Sequence, residues 1–305
     1  MTGQKNYNTD GKTSEDRALD LFADMMIERI KSLSSKDGWK KPWFTEGSLS
    51  WPKNLSGREY NGMNALMLMM HCEKNGYKLP IFCTFDRVAG LNFTKDKQGK
   101  RQQAKGSGGE ALPQVSILKG EKSFPVFITT FTVVDKETKE RVKYDDYRLM
   151  SEEQRQKYNV YPKLQVYNVF NVSQTNLQEA RPELYKKLEE SCRQSKPMEM
   201  GEDFSFPPVD KMIKEDGWIC PIKPIFGDSA YYSISKNEIV VPEKKQFKDG
   251  ESFYSNLFHE MTHSTGAEGQ LNRIKPTSFG SEEYAREELV AELTAALTAQ
   301  RYGMT

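Results

Sequence analysis

Histidine, cysteine and long apolar runs are all scarce in this chain. The cysteine pattern and the lack of apolar runs each exclude a class of protein. The 305 residues include 3 His and 4 Cys. The cysteines form no C-x-x-C pair, which excludes the common cysteine-rich zinc motifs. No apolar run approaches the about 20 residues of a membrane span, and residues 1–17 lack the charged-then-apolar layout of a secretory signal. We therefore expect a cytoplasmic protein with reduced thiols and no membrane partner.

Two of the three histidines stand together in one motif, His259-Glu260-Met261-Thr262-His263. On a helix this H-E-x-x-H spacing puts both imidazoles on one face, one turn apart, beside a carboxylate. Two neutral imidazole nitrogens at about 2.0–2.1 Å suit a tetrahedral zinc ion. A glutamate between them is typical of the general base that activates water in zinc hydrolases. We therefore predict Zn²⁺ as cofactor, one ion per chain, with Glu260 as the catalytic residue. The alternative is a pair of polar residues on a solvated helix face.

The residues around the motif predict a helix that ends soon after it. Phe253, Leu257 and Met261 recur at helical spacing and would seat one face of the helix against a core. Thr265-Gly266 then provides a glycine stop. A helix that ends near His263 lets the chain turn and return with a third metal ligand.

A second helix is predicted from Ser281 to about Arg301, and it carries the candidates for that third ligand. Only His71 remains elsewhere in the chain, so a carboxylate is favoured over another imidazole. We choose Glu288 as the ligand, with Glu287 as its main rival. Glu292 lies one turn beyond Glu288 and is expected to accept the outer ring N–H of a metal-binding histidine.

A strong charge asymmetry separates the two halves of the chain. Residues 31–125 contain 16 Lys and Arg against 8 Asp and Glu, whereas the rest of the chain contains 28 against 35. A basic segment joined to an acidic one indicates two separate tasks.

The basic half has the composition of a single-strand nucleic-acid binder. Such proteins combine cations that follow the phosphates with aromatic rings on which bases stack. The candidates are Trp39, Lys40, Lys41, Trp43, Lys53, Arg58 and Tyr60, followed by Lys119 and Lys122. A second basic cluster lies between Lys95 and Lys105. The alternative is that the tryptophans belong to a core and the lysines to an ordinary solvated surface.

Periodicity and turn residues predict four segments along the chain and a mixture of helices and strands. Residues 1–13 form a disordered leader, 14–178 a DNA-binding domain, 179–205 a helical connection and 206–305 a metal-binding domain. Within these segments we predict helices at 14–33, 64–75 and 208–215, strands at 124–134, 141–147 and 164–172, and a hairpin of 230–233 with 238–241.

Several ordered motifs resemble those of the ArdC-type antirestriction proteins, from about Ser14 to the last residues. The N-terminal matches are Trp39-x-x-Pro42-Trp43, Pro52-x-Asn54, Gly57-x-x-Tyr60-x-Gly62-x-Asn64, Leu118–Lys122 and Tyr167–Gln174. The C-terminal matches are Ala230–Tyr232, Ile239–Pro242, Phe247, His259–Gly266, Leu271-x-Arg273 and Tyr284–Glu292.

This resemblance implies an α+β fold of two domains: an N-terminal α+β DNA-binding domain and a C-terminal zincin-like, gluzincin-type metallopeptidase domain. It implies a bacterial, cytoplasmic protein of a conjugative plasmid or other mobile element, which binds single-stranded DNA and protects it from restriction enzymes. By position it assigns the metal site to His259, His263 and the helix of Glu288, and the acid–base role to Glu260.

The predicted activity is therefore hydrolysis of an unidentified protein or peptide at a zinc site. Tyr231 and Tyr232 lie near a predicted edge strand that would align the substrate chain. One alternative is a DNA-binding protective protein whose metal site is structural or catalytically silent. Another is a peptidase effector in which the N-terminal domain recognises protein rather than DNA.

Overall fold

The computed structural model divides the chain into two compact units, which are described separately below. Of the described residues, the N-terminal unit includes 11–33 and 50–192, and the C-terminal unit includes 205–304. The residues that the structure describes are 11–33, 50–95, 98–106, 108–192, 205–247, 249–275 and 280–304. Both units mix helices and strands, which confirms the predicted α+β class.

The N-terminal unit contains seven helices and seven strands in its described part. The helices are α1 (Ser14–Leu33), α2 (Gly62–Asn75), α3 (Phe85–Gly90), α4 (Tyr144–Arg148), α5 (Glu152–Arg155), α6 (Leu177–Ala180) and α7 (Pro182–Ser191). The strands are β1 (Lys53–Asn54), β2 (Ile81–Cys83), β3 (Phe93–Lys95), β4 (Arg101–Gln103), β5 (Phe124–Asp135), β6 (Arg141–Val142) and β7 (Tyr158–Asn171).

Five of these strands form one sheet in the order β1-β2-β7-β5-β6. Its centre is the antiparallel pair β5–β7, which runs in register from Phe124 opposite Val169 to Asp135 opposite Tyr158. The predicted strands 124–134 and 164–172 are both present, but β7 begins earlier than predicted. Pro162 argues against a strand from the sequence alone. It is tolerated because β2 pairs with β7 only at Phe170 and Asn171, leaving Pro162 at an edge of the described sheet.

Helix α2 contributes seven buried residues to this unit. It buries Met67 and Leu68 completely, together with their Met and Leu neighbours. The helix ends at Asn75, as predicted, and Gly76 caps it with a φ of 66°, the left-handed conformation that glycine adopts without strain. Near its other end, the Asn64 amide holds the Phe127 backbone, accepting from its N–H at 2.8 Å and donating to its carbonyl at 2.6 Å. A polar motif residue thus fixes α2 to the sheet.

The predicted strand 141–147 is mostly wrong. Only Arg141–Val142 pair with β5, and the short helix α4 begins at Tyr144. Asp145 and Asp146 lie in the first turn of α4, where acidic side chains complement the helix dipole. The Tyr144 ring stacks on Phe131 with 4.3 Å between centroids, so tertiary packing holds an aromatic run that alone resembles a strand.

The C-terminal unit contains three helices and three strands among its described residues. They are α8 (Pro207–Lys214), β8 (Ile222–Ile225), β9 (Tyr231–Ser233), β10 (Glu238–Pro242), α9 (Gly250–Thr265) and α10 (Glu282–Arg301). The strands form a sheet in the order β8-β10-β9, with β9 at an edge. The predicted hairpin is confirmed, with Ile239 opposite Tyr232. Its turn contains Asn237 at a φ of 47°, which asparagine tolerates better than most residues.

Helix α9 lies at the centre of the C-terminal core. Phe253, Leu257 and Met261 are buried as the helical pattern predicts, and they pack in one cluster with Ile239 and Val241 of β10. The cluster fixes α9 against the sheet on one side. Helix α10 packs along α9 and contributes Ala295 to the same cluster.

No helix in the described part of the chain has both the length and the apolar character needed to cross a bilayer. The four cysteines are free, and three of them, Cys72, Cys83 and Cys220, are buried. Burial raises the pKa of the Cys72 and Cys83 thiols to about 12, so these thiols are protonated and unreactive at neutral pH.

Candidate metal centre

Helix α9 carries the H-E-x-x-H motif in its last turns. Asp249 caps the helix by accepting a hydrogen bond from the Ser252 backbone N–H at 2.7 Å. With the apolar face of the helix fixed in the core, His259 and His263 lie on an adjacent, partly buried face. Their rings meet edge to face with 4.8 Å between centroids, and the two Nε2 atoms are 3.1 Å apart.

Gly266 ends α9, but for a different reason from the one predicted. Its φ is −82°, so no left-handed conformation requires a glycine here. A Cβ at this position would lie 2.7 Å from Ile274 Cγ1 and 3.1 Å from the His263 carbonyl oxygen. The glycine therefore permits a close approach. The Gly266 carbonyl accepts hydrogen bonds from the N–H groups of Arg273 and Ile274, and so holds the returning chain against the end of α9.

Helix α10 brings Glu288 to the same point as the two histidines. Glu288 Oε2 is 3.4 Å from His259 Nε2, and Glu288 Oε1 is 3.5 Å from His263 Nε2. Among the described residues these three side chains form a group whose potential ligand atoms all lie within 4.8 Å of one another. The carboxylate thus faces the inner nitrogen of both rings.

The outer nitrogens of the two rings each face a different carboxylate of α10. His259 Nδ1 is 3.4 Å from Glu292 Oε2, and His263 Nδ1 is 3.4 Å from Glu287 Oε1. The hydrogen bond that His259 donates to the Glu292 carboxylate raises the pKa of His259, and burial partly offsets this rise. A carboxylate at Nδ1 favours the tautomer with its proton on that nitrogen, which leaves the Nε2 lone pair directed inward. The rival candidate Glu287 thus contacts a histidine from outside the three-residue group.

Arg273, which the sequence analysis did not single out as a site residue, is part of this arrangement. Its guanidinium donates from Nε to Glu287 Oε2 at 3.1 Å and from Nη2 to Glu287 Oε1 at 3.0 Å. Nη2 also donates to the Thr262 carbonyl at 3.0 Å, and Nη1 donates to Thr265 Oγ1 at 3.2 Å. Arg273 therefore ties Glu287 to the end of α9 beside His263. The only signal in the sequence was its place in the Leu271-x-Arg273 motif.

Glu260 points away from the solvent and is only 8% exposed. Burial raises the pKa of its carboxyl group, while nearby His259 and His263 and a hydrogen bond with the Tyr232 backbone oppose that rise. The hydrogen bond to Tyr232 places the carboxyl beside the edge strand β9. A buried carboxyl near two imidazoles and a strand edge can accept and return a proton.

The two tyrosines of β9 differ in their surroundings. Tyr231 is exposed, whereas Tyr232 packs against the core and donates from its hydroxyl to Asn237 Oδ1 at 2.8 Å. The backbone of Tyr232 forms a hydrogen bond with Glu260. On α10, the Tyr284 hydroxyl forms a hydrogen bond with Glu288, which places a further phenol at the carboxylate.

Four of the predicted DNA-binding residues lie outside the described residues: Trp39, Lys40, Lys41 and Trp43. Tyr60 is described and half-buried, and its ring meets Phe82 edge to face with 6.3 Å between centroids. Its carbonyl accepts a hydrogen bond from the Trp51 indole at 2.6 Å. Burial raises the pKa of Tyr60. Its packing gives Tyr60 a clear structural role.

The predicted basic residues that are described lie at the surface of the N-terminal unit. Lys53 is half-buried on β1, and its ammonium donates to the Ser191 carbonyl at 3.4 Å. Arg58, Lys119 and Lys122 are exposed, each in a turn or loop. Their side chains are accessible to a polyanion, but the described contacts bring no two of them together.

Both halves of the chain match models of known protein families. Residues 16–170 match the N-terminal domain of anti-restriction factor ArdC. Residues 208–305 match the zincin-like metallopeptidase family. The chain belongs to the ArdC family of anti-restriction factors. Its C-terminal domain is zincin-like, which agrees with the two-helix arrangement around His259 and His263.

This ArdC-family chain is also similar to longer curated proteins. It is 27% identical over 293 residues to a DNA primase TraC of Escherichia coli, covering 93% of this chain and 17% of that protein. A second Escherichia coli TraC is 25% identical over 291 residues, 92% of this chain and 23% of that protein. The chain thus spans less than a quarter of either TraC. It is also 39% identical over 71 residues to the uncharacterized protein y4eC of Sinorhizobium fredii, 23% of each chain.

Two crystal structures of the antirestriction ArdC protein from plasmid R388 share the fold of this family member. The metal-free structure has a TM-score of 0.56 at 23% identity and covers 93% of this chain and 82% of that chain. The Mn(II)-bound structure has a TM-score of 0.55 at 22% identity and covers 92% and 80%.

Proposed function

We propose that this protein is an antirestriction factor of a mobile genetic element that binds single-stranded DNA and hydrolyses a protein or peptide at a zinc site. The arrangement of His259, His263 and Glu288 is the observation that carries the enzymatic part. Membership of the ArdC family supports the antirestriction role. The plasmid origin of the R388 relative supports the link to mobile elements.

The separations of the three side chains support a tetrahedral zinc site, with one ligand atom from each residue and all three within 4.8 Å of one another. Bonds of about 2.0–2.1 Å at tetrahedral angles place neighbouring ligand atoms about 3.3 Å apart. The inner nitrogens of His259 and His263 are 3.1 Å apart, and each is 3.4 or 3.5 Å from a Glu288 oxygen. Three protein ligands leave the fourth position open, as is common in catalytic sites. The manganese bound by the R388 relative supports a divalent ion at such a site.

Glu260 is proposed as the general base and acid. A bound zinc ion would supply Lewis-acid polarisation of the scissile carbonyl and of the attacking water. The Glu260 carboxylate would accept a proton from that water and return it to the leaving amine. Burial raises the pKa of this carboxyl, which makes the carboxylate a stronger base for taking the proton from water than an exposed glutamate would be.

Strand β9 is proposed to align the substrate. It lies at the edge of the described sheet, and its Tyr232 backbone is hydrogen-bonded to Glu260. A substrate chain added to this edge would pass the carboxyl at its scissile bond. Tyr231 is exposed on the same strand and would contact a side chain of the substrate, whereas Tyr232 would contribute through its backbone.

The N-terminal unit is proposed to bind single-stranded DNA. The charge excess of residues 31–125 supports this, because phosphate contacts dominate the affinity of such binding. The exposed Arg58, Lys119 and Lys122 would contact phosphates. Trp39 and Trp43, with Lys40 and Lys41, remain proposed contacts on sequence grounds.

A second candidate function is protection by DNA binding alone, with a metal site that does not catalyse. Glu260→Gln separates the two, because the amide keeps the shape of the side chain but cannot accept a proton. We expect this variant to bind zinc like wild type and to lose peptidase activity. Zinc content, cleavage of a mixed protein substrate and restriction protection would be measured on both proteins. Full protection by Glu260→Gln would favour the binding function, and unchanged cleavage would exclude Glu260 as the general base.

A further inference from the structure

The hairpin of β3 and β4 carries an aromatic ring and a guanidinium stacked on each other at the protein surface. Phe93 is 43% exposed although it is a large apolar side chain. The guanidinium carbon of Arg101 lies 3.9 Å from the centroid of the Phe93 ring. Arg101 lies in the predicted second basic cluster between Lys95 and Lys105, whereas Phe93 is not among the predicted DNA-binding residues. We propose that the stacked pair of Phe93 and Arg101 is a base-stacking site for single-stranded DNA.

The register of the hairpin explains why the two side chains meet. Phe93 is opposite Gln103, and Lys95 is opposite Arg101. Because opposite residues and alternate residues share a face, Phe93 and Arg101 lie diagonally on one face of the ribbon. A guanidinium already held over a ring loses little further conformational freedom when a planar base stacks on it.

The base of the hairpin is firmly anchored in the N-terminal unit. The Asn92 side chain accepts from the Val115 N–H at 2.7 Å and donates to the Val115 carbonyl at 2.9 Å. Ala104, the residue after β4, is buried, and its N–H donates to the Asn92 carbonyl at 2.9 Å. Strand β4 itself is exposed along its whole length. The stack is thus presented to solvent from a fixed base, which lowers the entropic cost of binding.

The sequence around the pair has a charge balance that suits a polyanion. Residues 92–111 contain five Lys and Arg against two Asp and Glu. Lys105 follows the hairpin and is exposed. A cation beside a stacking surface is the combination found in single-strand binders. In a duplex the base faces are already stacked on one another, so this pair favours unpaired strands.

The inference rests on the DNA-binding part of the proposed function and identifies residues for it. The test measures binding of a labelled oligo-dT to the full chain by fluorescence anisotropy across a salt series. Phe93→Leu removes the flat ring and keeps apolar volume, and Arg101→Lys keeps the charge and removes the plane. We expect each to weaken binding by about fivefold or more, the loss of one stacked base, with an unchanged salt slope. Arg101→Gln should in addition flatten the slope by about 0.7, for one phosphate contact.

Matched controls in the same unit are Tyr161→Leu, which removes a 54% exposed ring from β7, and Arg141→Lys, which changes an exposed arginine of β6. Both should bind the oligo-dT with an affinity within twofold of wild type. Phe93→Leu should likewise bind a duplex of equal length with an affinity within twofold of wild type. Two outcomes would overturn the stacking site alone. In the first, Phe93→Leu and Arg101→Lys both bind as tightly as wild type. In the second, the control variants lose as much affinity as these two. Tighter binding of oligo-rU would assign the pair to RNA instead. Absence of salt-sensitive binding by wild type would overturn the DNA-binding function as well.

Discussion

Arg273 holds the carboxylate of Glu287 through two parallel hydrogen bonds, 3.1 Å and 3.0 Å long. This fork leaves one Glu287 oxygen 3.4 Å from the outer nitrogen of His263. Glu287 is only 16% exposed in its side chain, whereas Glu288 is 37% exposed. The more buried acid is thus the one that an arginine neutralises, and the more open one faces both histidines.

Arg273→Met should weaken metal binding without removing a ligand. Methionine has a similar length but cannot hold Glu287, so the carboxylate loses its fixed position beside His263. Loss of such an outer partner typically costs about 10–100-fold in metal affinity. Zinc affinity would be measured by competition with a chromophoric chelator. Arg286→Met is the control, since Arg286 pairs with Glu282 on the exposed face of α10. Equal affinities in all three proteins would show that Arg273 has no part in the site.

The two neighbouring acids of α10 should give unequal effects when each is replaced by alanine. Glu288→Ala removes a proposed ligand and should abolish zinc binding in the micromolar range, because two histidines alone hold the ion weakly. Glu287→Ala should leave measurable binding, weakened by about 10–100-fold. Isothermal titration with zinc would distinguish the two. The opposite order would make Glu287 the ligand and contradict the proposed site.

The candidate site was largely predictable because its spacing is local. Two histidines four residues apart on a helix share a face whatever the surrounding fold, so His259 and His263 required only the helical pattern. The choice between Glu287 and Glu288 is different, because adjacent residues of a helix point about 100° apart. Only the packing of α10 on α9 decides which faces the inner nitrogens. Arg273 lies on an irregular segment, whose direction no periodicity predicts.

The fold was predictable where a single periodicity dominated, as in α1, α2 and the hairpin of β9 and β10. It failed where tertiary contacts override local preference. Pro162 argues against a strand, yet β7 includes it. The aromatic segment that begins at Tyr144 has the composition of a strand, but it forms a helix whose Tyr144 ring packs on Phe131. The role of motif residues such as Asn64 could not be predicted from the sequence either. In the structure Asn64 bonds the Phe127 backbone, a contact between distant segments.

Tyr254→Phe should destabilise the C-terminal unit. The Tyr254 side chain is fully buried, and its hydroxyl donates to Asp210 Oδ1 at 2.5 Å and accepts from the Phe206 N–H at 2.9 Å. Removing the hydroxyl leaves the Phe206 N–H and the Asp210 carboxylate without that partner, at a cost of about 1–3 kcal/mol. Urea unfolding monitored by circular dichroism would measure the loss. Tyr231→Phe, at an exposed ring, should cost less than about 0.5 kcal/mol. Equal costs would contradict the inferred role of the hydroxyl.

His71→Phe should make the N-terminal unit less sensitive to acid. The His71 ring stacks on Phe124 with 4.1 Å between centroids, and its Nε2 has no hydrogen-bond partner among the described residues. Burial, with a smaller contribution from Lys74, lowers the pKa of His71 to about 4 from an ordinary value of 6.5. The folded protein therefore favours the neutral ring, whereas the unfolded chain is protonated below pH 6.5.

A histidine with a lowered pKa contributes its full stability above pH 6.5, and that contribution is lost as the pH falls from 6.5 towards 4. Wild type should lose about 2 kcal/mol from this source, allowing for solvent screening of the partly exposed ring. Phenylalanine keeps the stack on Phe124 and cannot be protonated, so His71→Phe should lack this loss. Urea unfolding at pH 7.5 and pH 5 would give the difference in unfolding free energy for each protein. If both proteins lost the same unfolding free energy between pH 7.5 and pH 5, protonation of His71 would not destabilise the folded protein.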